Sequence, residues 1–137
     1  MPKSDILGEE DIQRLVHAFY AKVNNDPLLA PVFNDVAKVN WDEHLPLLCR
    51  FWSTLLFRTM TFEGRPFPKH VVLPLQKEHF TRWVSLFTGT VDELFAGAKA
   101  EEAKGFARSI ADTFQLRMGL LDPSTLLTLP TNRSAGL

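Results

Sequence analysis

The sequence of 137 residues is poor in thiol and phenol groups: it has one cysteine, Cys49, and one tyrosine, Tyr20, beside eleven phenylalanines. A single cysteine excludes an internal disulfide and fits a reducing compartment. The N-terminus lacks the apolar segment of a signal peptide, and no run reaches the roughly 20 apolar residues of a membrane span. We therefore expect a cytoplasmic protein with no membrane partner.

An excess of either charge is also missing. Fifteen Lys and Arg residues balance sixteen Asp and Glu residues, which leaves a net charge of −1. This balance provides no basic surface for nucleic acid. Common motifs of zinc sites, dithiol redox sites, phosphate-binding loops and serine hydrolases are absent as well. Composition and standard motifs therefore do not indicate a particular reaction, and we expect no nucleic-acid partner.

Apolar residues at helical spacing are the main feature that is present. They recur at intervals of three and four residues in four segments. The first segment runs from Gly8 to Asn24, and the second starts at Asn40 and fades at Thr61–Gly64. The third and fourth segments cover residues 76–95 and 99–121. Residues 28–38 read as an irregular or short helical connection. No alternating strand pattern or repeat occurs. We predict an all-α fold with four or five main helices in a single domain, residues 1–137, with a core at about 9–121 and loose tails at 1–8 and 122–137.

Pro46 leaves two alternatives for the second helix. Asn40, with Glu43 three residues later, resembles a capping box and favours a start at Asn40. A proline in a helix interior removes a hydrogen bond, so the helix either has a distorted first turn or starts only near Pro46. In the second case His44 can swing outward, away from the apolar face.

Three polar side chains lie on apolar helix faces: Tyr20, His44 and Trp83. Each has an ordinary explanation, because a buried tyrosine or tryptophan often bonds a nearby carbonyl and a histidine near a helix start is often at the surface. Trp41 and Trp52 are interpreted as packing residues.

The stretch RPFPKHVVLP, residues 65–74, has three prolines and one histidine, His70. The prolines allow at most one or two helical turns around His70. A ring held this way suits a metal or haem ligand, which needs a fixed bond direction. The alternative is a proline-rich loop whose histidine has no special role.

Taken together, four strings resemble one known family. AFYAKVNNDPLLAPVF, WDEHLPLLCRFW, PKHVVLPL and HFTRWVSLF are similar to segments of the truncated haemoglobins, and within them of group III. The resemblance covers about residues 10–118. It implies a truncated globin fold, a two-over-two helical sandwich around haem b (iron protoporphyrin IX), with the proximal histidine on a loop or short helix.

The resemblance also implies roles for individual residues. His70 matches the proximal iron ligand, Tyr20 and Trp83 match distal residues, His44 matches the helix position that faces the distal side, Phe33 packs on the haem, and Leu48 and Phe51 line the pocket. Lys69 and Arg65 are candidate cations for the haem propionates.

These roles predict a protein that binds dioxygen or another diatomic ligand at a five-coordinate iron. A phenol O–H and an indole N–H aimed at the ligand slow its release, which favours redox chemistry of oxygen, peroxide or nitric oxide. Peroxidase-like and nitric oxide dioxygenase activities are both open, and either needs a reductase that the sequence does not identify. Alternatives are a haem-based ligand sensor, an oxygen storage or transport protein, and a cofactor-free helical interaction module. The sequence does not indicate an oligomeric state.

Overall fold

The computed structural model describes residues 3–36, 38–58 and 75–117, and all regular structure in this part of the chain is helical. The described residues form four α-helices, α1 (Glu9–Asn24), α2 (Trp41–Phe57), α3 (Lys77–Leu94) and α4 (Ala98–Arg117), and a π-helical segment, Val32–Val36, between α1 and α2. The all-α prediction is confirmed. The second helix ends earlier than predicted, because Arg58 adopts a left-handed conformation that ends it. No helix among the described residues is both long and apolar enough to cross a membrane.

The helices pack as two pairs that share one aromatic core. Helix α1 packs against α2 and α3, and α4 packs against α3 and α2. At the centre, the rings of Trp52 and Phe87 stack with centroids 4.6 Å apart, and Phe19 meets Phe87 edge-on at 5.1 Å. These side chains are fully buried. One stack of rings therefore joins α1, α2 and α3, as the apolar faces of the sequence predict.

Helix α2 begins before Pro46. The Asn40 side chain accepts a hydrogen bond from the Asp42 N–H at 3.1 Å, and the helix continues through Pro46. The alternative of a late start is therefore wrong. Since His44 already lies inside the helix, the helix backbone sets the direction of its ring, which is half-buried.

The N-terminal segment caps α4. Asp5 Oδ2 accepts from the Lys99 N–H at 2.9 Å, and Oδ1 accepts from the Ala100 N–H at 2.8 Å. Gly97 allows this approach: its φ is +144°, and a Cβ there would lie 2.5 Å from the Asp5 Cγ. The next side chain, Ile6, is buried in the core. Both residues thus differ from the loose tail expected for residues 1–8.

Asp5→Asn is expected to weaken the acid dependence of stability. Burial pushes the pKa of Asp5 upward, but hydrogen bonds from the N–H groups of Lys99, Ile6 and Ala100 more than offset it, so the pKa lies below its ordinary value of 3.8. With a lowered folded-state pKa, the stabilisation is present above that ordinary value and is lost as the pH falls through the folded pKa. Because an amide has one acceptor oxygen where the carboxylate has two, the variant should also lose about 1 kcal/mol at pH 7. Urea denaturation between pH 7 and 3 tests both points, and an equal acid loss in the two proteins would contradict the prediction.

Candidate functional site

The indole of Trp83, on α3, lies close enough to the Tyr20 hydroxyl, on α1, to lower the pKa of the phenol by hydrogen bonding. An indole N–H only donates, so the Tyr20 oxygen accepts. Burial raises the pKa of Tyr20 far above its ordinary value of 10.0, and the hydrogen bond from Trp83 opposes this only in part. Tyr20 is therefore a neutral phenol. A neutral phenol keeps an O–H group that can donate one hydrogen bond.

The rings of Tyr20 and Trp83 pack against the aromatic core. That phenol and indole both face a ligand stays a prediction. Phe19 packs edge-on against both rings, with centroids 4.5 Å from Tyr20 and 5.6 Å from Trp83. Trp83 also stacks on Phe87 at 5.8 Å. The core therefore fixes the positions of both rings.

Trp41 brings the remaining aromatic residues of the site together. Its ring centroid lies 5.4 Å from that of Tyr20, 5.9 Å from Phe33 and 5.7 Å from His44. Phe33 also meets Tyr20 edge-on at 6.2 Å. The interpretation of Trp41 as a packing residue missed this position. The sequence did contain a signal for it, because Trp41 lies three residues before His44 and so on the same face of α2.

Leu48 and Phe51 continue this face of α2 and pack into the core, Leu48 half-buried and Phe51 buried. His17 is exposed on α1. His79 accepts the Gln76 N–H at 2.8 Å and so serves the start of α3. His70 and Lys69 lie outside the described residues.

An ion pair anchors α3 one residue before Trp83. The Asp26 carboxylate, just after α1, accepts from the N–H groups of Leu28 and Leu29 at 3.0 and 2.9 Å and from Arg82 Nη1 at 2.5 Å. Asp26 is only 7% exposed. The sequence indicated Asp26 only as part of a helix stop. Because Arg82 is far away along the chain, no local pattern points to this partner.

Asp26→Ala is expected to lower the free energy of unfolding by about 1–2 kcal/mol at pH 7, because it leaves two backbone N–H groups without their acceptor. Arg82→Gln is the matched control. It removes only the half-exposed partner, so its loss should be smaller, under about 1 kcal/mol. Urea denaturation of both variants measures the difference. If Arg82→Gln costs as much as Asp26→Ala, the ion pair rather than the backbone bonds carries the stabilisation.

Comparisons with known proteins agree with this architecture. A family model described as bacterial-like globin matches residues 4–115. A group 3 truncated hemoglobin of Campylobacter jejuni is 30% identical over 117 residues, which cover 82% of this chain and 92% of that protein. The crystal structure of a group III truncated hemoglobin from Campylobacter jejuni superposes with a TM-score of 0.77 at 29% identity, over 85% of this chain and 94% of that one.

The fold and the site thus define a small helical protein with a buried phenol beside a partly buried indole. The chain belongs to the bacterial-like globin family. Its resemblance to group III truncated haemoglobins, expected from the sequence, is confirmed. Membership in a globin family implies a haem cofactor, which globins hold through a proximal histidine.

The residues around Tyr20 fit such a cofactor. The rings of Phe33, Trp41 and Trp83 are only partly buried although they pack against the core, so each leaves apolar surface for a further contact. Tyr20 adds one O–H donor among these rings. An apolar, aromatic surface with a single oriented donor suits a flat apolar cofactor that presents a small polar ligand.

Proposed function

We propose that the chain binds haem b through His70 and holds a diatomic ligand against Tyr20. Bound haem supplies an iron with one coordination position open to the ligand. The observation that carries the proposal is the burial of Tyr20 among the rings of Phe19, Phe33 and Trp41, because it places a neutral phenol O–H in an apolar site.

The side chains of the site act on the ligand in three ways. The Tyr20 O–H donates a hydrogen bond to ligand oxygen that gains negative charge, and the raised pKa of Tyr20 keeps that proton in place. Trp83 polarises the phenol, which strengthens it as a donor. The rings of Phe33 and Trp41 exclude water, and in such surroundings an electrostatic contact is stronger than in water.

The other residues of the proposal hold the cofactor and border the ligand. His44, half-buried against Trp41, borders the ligand side, and Leu48 and Phe51 supply apolar contacts along α2. Lys69 pairs with a haem propionate.

Slow ligand release separates the proposed activities. A charge-assisted hydrogen bond of about 1.5–3 kcal/mol slows release by at least tenfold. Slow release serves delivery of oxygen poorly, so the site favours redox chemistry of oxygen, peroxide or nitric oxide, with electrons from a separate reductase. This places redox chemistry ahead of oxygen storage or transport.

An absorption spectrum of the purified chain, followed by titration with haem, tests the first step. We expect a Soret band and uptake of one haem per chain. Stopped-flow oxygen release and peroxide turnover with an added electron donor then test the second step, and slow release with turnover supports it. A folded, colourless chain that takes up no haem would favour the cofactor-free interaction module instead. Haem uptake with fast oxygen release and no turnover would favour storage or transport.

A further inference from the structure

A relay of two amides ends on the indole of Trp41. Asn34, in the π-helical segment, accepts the Trp41 Nε1–H at its Oδ1 over 2.8 Å, and its Nδ2 donates to the Asn24 Oδ1, also over 2.8 Å. Since an indole N–H can only donate, the Asn34 oxygen must face it, and the amide nitrogen is then directed at Asn24. The relay thus connects the end of α1 to the start of α2.

The π-helical segment contacts Trp41 twice. Phe33 packs against its ring, and the next residue, Asn34, holds its N–H. The Val39 N–H donates to the Phe33 carbonyl at 3.0 Å, which closes this part of the chain. Single-turn π-helical segments are rare and occur often at functional sites. Here the segment places two successive side chains on one tryptophan.

We infer that Asn34 is a positioning residue, which fixes Trp41 against Tyr20 and through it the direction of the Tyr20 hydroxyl. Trp41 and Tyr20 lie 5.4 Å apart with their rings tilted by 45°. A Trp41 ring that turns away from Asn34 changes this contact. The consequence for ligand release rests on the proposed function, whereas the placement of Trp41 does not.

The expected effect is moderate. Asn34 is exposed, and Asn24 and Asn34 line a surface groove of about 430 Å³, so water competes for the same groups. A hydrogen bond of this kind changes an equilibrium by about threefold to tenfold. This is the factor to look for in each measurement.

The first measurement is NMR of the indole N–H groups of the purified full chain, with haem in the diamagnetic carbon monoxide form if haem is bound. In Asn34→Ala, the Trp41 resonance should move and its exchange with water should become about threefold to tenfold faster. The resonances of Trp52 and Trp83 should stay in place. Asn34→Asp keeps an acceptor and should restore the Trp41 signal. Asp35→Ala, at the exposed neighbouring position, is the matched control.

The second measurement reads Tyr20 itself. Asn34→Ala should shift the Tyr20 ring resonances and change oxygen release about threefold to tenfold. In a Trp41→Phe background, where no indole N–H exists, Asn34→Ala should have no further effect on either quantity.

The outcomes separate the two proposals. A Trp41 signal that moves while Tyr20 and oxygen release stay unchanged overturns the inference and leaves Asn34 as a purely structural residue. An effect of Asn34→Ala that persists in the Trp41→Phe background overturns it too. If the chain takes up no haem, the proposed function fails, and the Tyr20 ring resonances alone decide on Asn34.

Discussion

His70→Gly protein is expected to hold haem more than about 100-fold more weakly than the wild-type chain. Loss of a residue that merely supports a metal ligand costs about 10- to 100-fold in affinity, and loss of the ligand itself should exceed that range. The glycine also leaves space for free imidazole, which should bind in place of the missing ring and restore the Soret band. Haem titration followed by absorption measures both effects. It is done with and without imidazole at about 10 mM, a concentration suited to a weak ligand.

His17→Ala is the matched control, because it removes an exposed imidazole from α1 and should leave haem affinity unchanged. His44→Ala tests the opposite side of the site. It should alter ligand release more than haem affinity. Unchanged haem affinity in His70→Gly, with a large loss in His44→Ala, would move the iron ligand from His70 to α2.

Tyr20→Phe protein is expected to release oxygen about 10- to 100-fold faster than the wild-type chain. A hydrogen bond to a charged acceptor contributes about 1.5–3 kcal/mol, and each 1.4 kcal/mol corresponds to a factor of ten. Phenylalanine keeps the ring, so the packing against Phe19 and Trp41 remains and the change isolates the hydroxyl. Stopped-flow release from the ferrous protein is the measurement.

In the proposed site the indole acts on the ligand only through the phenol, so Trp83→Phe should have a smaller effect on oxygen release, about threefold to tenfold. Added to Tyr20→Phe, it should change little, since its acceptor is already gone. Trp52→Phe is the control, because Trp52 stacks on Phe87 as Trp83 does, but lies fully in the core. A larger effect of Trp83→Phe than of Tyr20→Phe would make the indole the direct donor.

Most of the helical architecture follows from local patterns, and these are readable in a sequence. The apolar spacing of the first and third segments predicts α1 and α3 closely, because each helix buries one continuous face. The end of α2 was harder to predict from the sequence. It depends on the left-handed backbone of Arg58. Glycine is the usual sequence signal for that conformation, and this position has none. The π-helical segment could not be predicted either, because five residues are too few to show a periodic pattern of apolar side chains.

The site was predictable only where one residue stands out in its own segment. Tyr20 stands out among many phenylalanines, and Trp83 lies on an apolar face. That the two lie close together depends on how α1 and α3 pack, and so does the pairing of Asp26 with Arg82. Trp41 was missed because its acceptor, Asn34, lies in the irregular connection. The role of His70 stays a prediction.

The cap that Asp5 places on α4 has a consequence for the order of folding. Its hydrogen bonds join residues 94 and 95 positions apart in the chain. Closing so long a segment costs chain entropy, whereas α3 and α4 are neighbours and can pair early. The cap should therefore form after the rate-limiting step, and a contact formed so late controls unfolding more than folding. During synthesis the cap can form only after Lys99 and Ala100 have been made, and a chain that lacks Asp5 would be without this closure and open faster.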